Sequence, residues 1–149
     1  MTMAATPPLP PRMTLVTLGV ADIARSTAFY EKLGWSKSSA SNENVTFFHM
    51  DGTKLGLFGR SALADDARVE NSSGGFSGVT LAINFDSEQE VDAAYDHAVS
   101  IGAKATKRPE KVFWGGYSGY FADPDGHLWE LAHNPFAPLD KDGQMELPE

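Results

Sequence analysis

The chain repeats one order of short segments twice, and this duplication limits the fold more than any other feature of the sequence. In the first half, residues 14–20 alternate between two faces as a strand does, Asp22 is a good helix N-cap, and Gly34 ends the helical spacing that follows. In the second half, a strand pattern at 81–85 leads into a helix that stops at Gly102. Two similar small modules are therefore predicted.

Each repeat closes with a turn signal and a strand. Asp51-Gly52 in the first half and Asp123-Pro124-Asp125-Gly126 in the second half are typical turn sequences of β-hairpins. In the strand after the second turn, Glu130 stands between Trp129 and Leu131. Because neighbouring residues in a strand point to opposite faces, the Glu130 carboxylate points away from the face of these two apolar side chains.

The duplication predicts an α+β fold of two tandem βαβββ modules, over residues 14–59 and 78–135. Residues 60–77 between them are small and polar, as in a linker loop. Residues 1–13 form a proline-rich segment, and residues 136–149 an acidic one, both without a core pattern. We expect both termini to be tails outside the modules.

Composition excludes several classes of function. With 12 basic and 20 acidic residues, the net charge of −8 opposes binding to nucleic acid. The absence of cysteine excludes disulfides, thiolate catalysis and Cys-based metal sites. No stretch approaches the roughly 20 apolar residues of a membrane span, and no secretory signal precedes the first module, so we expect a cytoplasmic protein without membrane contacts.

Several motifs together resemble the vicinal oxygen chelate superfamily, which includes glyoxalases, bleomycin resistance proteins and extradiol dioxygenases. They are Leu18-Gly-Val-Ala-Asp22, Phe29-Tyr30, Leu33-Gly34-Trp35, and Asp123-Pro-Asp-Gly126 followed by Glu130. The resemblance implies that the modules form a cup-shaped mixed sheet with the helices outside and a ligand in the concavity. It also implies a homodimer, since members with one pair of modules commonly complete their cavities across a dimer interface.

The resemblance also locates the metal ligands of the family's metalloenzymes, one on the first and one on the last strand of each module. Strand parity places them here at Leu15, Gly56, Thr80 (or Val79) and Glu130. Catalytic metal sites normally supply at least three His, carboxylate or thiolate ligands, and only Glu130 is one. We therefore predict no metal and no cofactor, as in the branch that binds a small organic molecule without transforming it.

The predicted ligand is a small hydrophobic or aromatic molecule, neutral or cationic because Glu130 is the one charge placed inside the cup. The aromatic side chains near Gly115-Gly116 either stack against this ligand or pack as core. The predicted cavity is lined by Leu15, Thr17, Phe58, Thr80, Asn84, Trp114, Tyr117, Leu128 and Glu130.

Three alternatives remain open. Glu130 could be the general base of a metal-independent lyase or isomerase. A dioxygenase-type metalloenzyme would need ligands at other positions, and the four histidines, His49, His97, His127 and His133, are the other donors. A silent scaffold that uses its acidic loop and tails for protein contacts is the third.

Overall fold

The computed structural model describes residues 8–72 and 74–148, so the start of the predicted N-terminal tail lies outside the described residues. The described residues form seven strands and three helices, and the predicted α+β class is confirmed. In chain order the elements are β1 (Leu15–Val20), α1 (Ile23–Leu33), β2 (Val45–Phe48), β3 (Lys54–Gly59), α2 (Arg60–Ala67), β4 (Thr80–Asn84), α3 (Glu88–Ser100), β5 (Lys104–Lys111), β6 (Tyr117–Ala122) and β7 (Leu128–His133).

The strands form two separate mixed sheets, in the orders β1-β3-β2 and β4-β7-β6-β5. In both sheets the first strand of the module runs parallel to its last strand. The first module lacks a full fourth strand, because Lys37 makes only a single bridge to Phe48 where the predicted βαβββ pattern has its second strand. The two modules therefore share a topology, but the sheet of the first has three strands and that of the second has four.

The expected linker is not entirely irregular, because its first part forms α2. The sequence from Arg60 to Ala67 contains three alanines and a leucine, with no Gly or Pro, so helix propensity is enough to explain it. No residue of α2 is buried, and its C-cap, Arg68, has a positive φ of 58°. Such a helix covers the end of β1 without contributing to the core.

The two long helices begin and end where the sequence predicts. The Asp22 side chain accepts a hydrogen bond from the backbone N–H of Arg25, and Ser87 accepts one from Glu90. Gly34 adopts a φ of 115°, which a residue with a Cβ rarely reaches, and it ends α1. These caps fix where each helix crosses its sheet.

Each sheet has one face toward the helices, here called the core face, and an opposite face, here called the open face. The core faces carry Val16, Leu18, Leu55 and Leu57 in the first sheet, and Leu81, Ile83, Trp129 and Leu131 in the second. Residues from both core faces pack with α1 and α3 in a single buried cluster. The two modules thus share one core.

A hydrogen-bonded carboxylate joins the modules at the centre of this core. Asp123, which is 4% exposed, accepts a 2.6 Å hydrogen bond from the hydroxyl of Tyr30 on α1. The same hydroxyl accepts a 3.0 Å hydrogen bond from the indole N–H of Trp129. Burial and the nearby charge of Asp123 raise the pKa of Tyr30 far above its ordinary value, so the phenol stays protonated and remains a donor.

The rest of the same turn binds the start of α1. Asp125 accepts hydrogen bonds from the backbone N–H of Ala21 at 2.8 Å and from the Ser26 hydroxyl at 2.7 Å. The His127 ring donates to the Gly19 carbonyl at 2.7 Å. We call Asp123, Asp125 and His127, with their partners, the inter-module latch. It fixes the second module against α1 through its hairpin turn.

The C-terminal segment folds back on itself, with a bridge between Leu139 and Met145. Among the described residues, no helix has the length and apolar character to cross a membrane.

The latch predicts a stability difference between two tyrosines. Replacing Tyr30 with Phe leaves the Oδ2 atom of Asp123 and the Trp129 N–H without their hydrogen-bond partner, while Asp123 Oδ1 keeps its two backbone donors. The free energy of unfolding should therefore fall by about 2 kcal/mol. The matched control is Tyr117→Phe, which removes an exposed hydrogen bond to Asp92 and should cost less than about 1 kcal/mol. Urea unfolding followed by circular dichroism measures both. Equal losses would contradict the role given to the latch.

Candidate functional site

The open face of the second sheet places Glu130 at the middle of a row that crosses all of its strands. In register, Glu130 pairs with Ala82 on β4 and with Tyr120 on β6, and Tyr120 pairs with Lys107 on β5. Cross-strand partners share a face, so these side chains are neighbours. Burial, and next the negative charge of Glu130, raise the pKa of the Tyr120 phenol.

Three other predicted site residues share this face with Glu130. Thr80 pairs with Leu128 in the row before it, and Asn84 belongs to the row after it. Thr80 and Ala82 are exposed, while Asn84, Leu128 and Glu130 are half-buried. The structure therefore places the predicted second half of the site on one accessible surface.

The remaining predicted positions form the open face of the first sheet, where Lys54, beside Leu15, is the one charged side chain among the residues paired in register. Thr17 pairs with Gly56, and Leu15 and Phe58 lie on the same face, one row to either side. The Phe47 ring and a Leu15 methyl lie 3.4 and 3.5 Å from the point where a Gly56 side chain would begin. Phe47 and Leu15 therefore cover the glycine, and a larger residue there would displace them.

Tyr117 does not belong to this surface. It is on the core-face side of β6, where its hydroxyl donates a 2.6 Å hydrogen bond to Asp92 of α3. This bond, with burial second, raises the pKa of Tyr117 to about 12. The predicted stacking role placed it on the wrong face, because the glycine-rich stretch before β6 hid the strand register.

Trp114 lies at the tip of the hairpin between β5 and β6 and is 38% exposed. Its indole ring occupies the space that a side chain on Gly116 would need. Phe136 covers the neighbouring Gly115 in the same way. The glycines thus let aromatic rings lie flat on the hairpin tip, and Trp114 has no register partner in the row of Glu130.

The four metal-ligand positions implied by the family do not fit a metal. Leu15 and Gly56 bring no donor atom, Thr80 brings a neutral hydroxyl, and Glu130 alone brings a carboxylate. Within residues 8–72 and 74–148, no group of three or more His, Asp or Glu side chains is arranged to hold a metal ion. The donor set of one chain is therefore too small for a catalytic metal.

Three of the four histidines bond backbone carbonyls elsewhere. His97 bonds Lys32 at 3.1 Å, His133 bonds Phe85 at 3.0 Å, and His127 belongs to the latch. His49 is exposed and lines a shallow depression of about 250 Å³ that also includes Leu15, Phe47 and Lys54. It is one imidazole beside the open face of the first sheet, without a second donor of its kind.

Sequence reasoning missed Tyr120, Phe47 and Lys107 on the open faces. The glycine-rich stretch that misplaced Tyr117 also hid the face of Tyr120, which becomes known only from its pairing with Glu130. Lys107 also carried no signal of its face, because β5 contains register shifts on both sides of it. Its face becomes known only from its pairing with Tyr120.

Within the described residues, the groove between the two sheets contains part of each open face but not the centre of either. The groove between the sheets, about 470 Å³, reaches the core-face residues Val16, Leu55, Leu81 and Trp129. It also reaches Lys54 of the first open face and Thr80, Ala82 and Asn84 of the second, but not Glu130, Leu15 or Thr17. In one chain, Glu130 and Thr17 are therefore not brought together in this groove.

The sequence profile of the Glyoxalase/Bleomycin resistance protein/Dioxygenase superfamily matches residues 12–131 of the chain. The chain belongs to this superfamily. A metallothiol transferase FosB of Shouchella clausii is 27% identical over 117 residues, which cover 78% of this chain and 75% of that protein. The resemblance inferred from the motifs is confirmed, and the fold with it.

Solved structures agree with this membership. A glyoxalase-related enzyme from Fulvimarina pelagi has a TM-score of 0.83 and 31% identity, covering 93% of this chain and 99% of that one. A lactoylglutathione lyase from Agrobacterium tumefaciens has a TM-score of 0.66 at 21% identity, over 85% of this chain and 96% of that one. The second likeness shows the fold alone.

The donor set predicts the metal content of the protein. After incubation with zinc, nickel, iron or manganese and dialysis, elemental analysis should find well below one bound ion per chain, with the same value for Glu130→Gln. One carboxylate cannot replace the solvation that a divalent ion loses. A stoichiometric ion that disappears in Glu130→Gln would overturn this assignment.

Proposed function

We propose that the protein is a homodimer in which the open face of the first sheet of one copy and that of the second sheet of the other enclose a small aromatic or hydrophobic molecule. The molecule is bound without a metal. The observation that supports this most is the pair of accessible open faces on one chain, one mainly apolar and one with the half-buried Glu130 carboxylate at its middle. A single site that includes both open faces needs a second copy of the chain.

Exposed apolar residues on and near the open faces support the proposal that a second copy covers them. Leu15 is 42% exposed on the first open face, and Phe76 and Val79, just before β4, are 69% and 60% exposed. Large apolar side chains exposed beside a proposed interface are the residues that a partner would be expected to cover. These residues flank the positions that would meet across the dimer.

The free edges of the sheets point to the same interface. β1 and β4 are edge strands, and neither contains a charged residue or a proline. β5, the other edge of the second sheet, carries two register shifts and a proline, with basic residues at Lys104, Lys107, Arg108 and Lys111. Edges protected in this way resist pairing with another chain, whereas β1 and β4 have no such protection.

The two walls differ in chemistry, and this difference supports an organic ligand. The first is apolar, with Leu15, Phe47 and Phe58, while the second offers Thr80, Tyr120 and Glu130 as hydrogen-bonding groups. Small-molecule sites usually combine an apolar lining with a few polar groups that orient the ligand. A flat ring against Phe47, with a polar end toward Glu130, suits this arrangement.

A metal-independent lyase or isomerase is the second candidate, favoured by the pairing of Glu130 with Tyr120. A carboxylate beside a phenol could remove a proton from a bound carbon acid and return it. In deuterated water, the bound ligand would then exchange this proton with wild type but not with Glu130→Gln. If the ligand binds but exchanges no proton, the protein binds it without transforming it, and the lyase or isomerase hypothesis is excluded.

The dimer makes a prediction for Leu15. Leu15→Asp places a charge in the buried interface and should convert a dimer to a monomer at micromolar concentration, as measured by light scattering after gel filtration. Leu147→Asp, at a side chain that is 72% exposed near the C-terminus, is the control and should leave the dimer intact. A wild-type protein that is already monomeric would contradict the proposal.

Ligand binding is tested by thermal shift with a library of small aromatic compounds. A compound that binds only the folded protein at 100 times its dissociation constant adds about 2.7 kcal/mol of stability, so hits should raise the melting temperature. Thr17→Trp fills the apolar wall and should abolish the shift, whereas Ser100→Trp, at the exposed end of α3, should not. Hits that respond equally to both variants would not be in the cup.

A further inference from the structure

On the open face of the second sheet, the edge strand β5 carries basic residues. The three cross-strand rows of this face end on β5 at Lys104, Lys107 and Glu110. The middle row is the one that contains Glu130 and Tyr120, so a lysine, a phenol and a carboxylate follow one another across three strands. Glu130 is therefore not the only charge on this surface.

The open face of the second sheet lacks the acidic excess of the whole chain. Among the residues paired in register, it carries Lys104 and Lys107 against Glu110 and Glu130. The whole chain has 12 basic and 20 acidic residues. An anionic ligand is therefore repelled less at this face than over the rest of the acidic protein.

Lys107 is available to a ligand. Its ammonium lies 3.7 Å from the Glu110 carboxylate, longer than a charged hydrogen bond, and both side chains are largely exposed. An exposed ion pair of this kind contributes little stability, so an anionic group of a ligand can readily replace Glu110 beside Lys107. Adjacent strands are about 4.8 Å apart, so Lys107 stands roughly 10 Å from Glu130, with Tyr120 between them.

We propose that Lys107, with the Tyr120 hydroxyl beside it, binds an acidic group of the ligand, so that the cup takes an aromatic carboxylate or sulfonate. This inference rests on the proposed function and narrows its ligand class. The acidic group lies at the β5 margin, away from the Glu130 carboxylate, and the ring extends toward the apolar wall of Phe47 and Leu15. Glu130 then accepts a hydrogen bond from a donor on the ring.

Two fluorescent probes with the same ring system test the proposal. Anilinonaphthalene sulfonate carries an acidic group, and phenylnaphthylamine lacks it. The native dimer should bind both, and Lys107→Met should weaken the sulfonate about tenfold through loss of one charged hydrogen bond, with little effect on the neutral probe. Lys111→Met is the matched control, because Lys111 is on the same strand but faces α3, near Glu88. It should change neither affinity.

The outcomes separate this inference from the proposed function. If neither probe binds the folded dimer, the organic-ligand function itself fails. If the neutral probe binds in the cup and Lys107→Met weakens both probes equally, or neither, only the acidic-group assignment is wrong. Lys107→Arg should restore sulfonate binding, and failure to do so when the melting temperature is unchanged would also contradict the assignment.

Discussion

The hydrogen bond between Tyr30 and Asp123 is the interaction on which the rest of the structure depends. It joins α1 of the first module to the hairpin turn of the second, inside a core where neither group can bond water. Aromatic packing reinforces it, since Trp35 stacks on Tyr30 with ring centroids 5.3 Å apart. Because the latch holds the modules through their core faces, the open faces of both sheets remain accessible, and in the proposed dimer a second copy covers them.

The proposed site uses the fold of the superfamily without the metal ligands that the family resemblance implies. Where the superfamily's metalloenzymes have ligands, Leu15 and the glycine beneath Phe47 give this chain an apolar wall, and Glu130 alone remains as a charged acceptor. Tyr120 and Lys107 extend from it across the sheet. The resulting surface is suited to recognising an organic molecule by shape, hydrogen bonding and charge.

The sequence predicted the repeated architecture because its signals are local: the caps at Asp22 and Gly34 and the turn at Asp123-Gly126 each act within a few residues. Parity along regular strands also placed Leu15, Thr80 and Glu130 on open faces. It failed at Tyr117 and could not place Lys107, since glycines and register shifts change the face of a side chain without a sequence signal. The latch joins residues about a hundred positions apart, so no local pattern could predict it.

The central claim, that one cup is built from two copies, is tested most directly by a metal site engineered across the interface. Leu15→His in one preparation and Thr80→His in another each leave too few ligands for a stable site, whereas a mixed dimer joins His, His and the Glu130 carboxylate in one cup. Mixing the two variants, with dissociation and reassociation, should therefore produce tight cobalt binding and its tetrahedral absorption band, while neither variant alone does. Cobalt binding only when both substitutions are in the same chain, and never on mixing, would contradict the account.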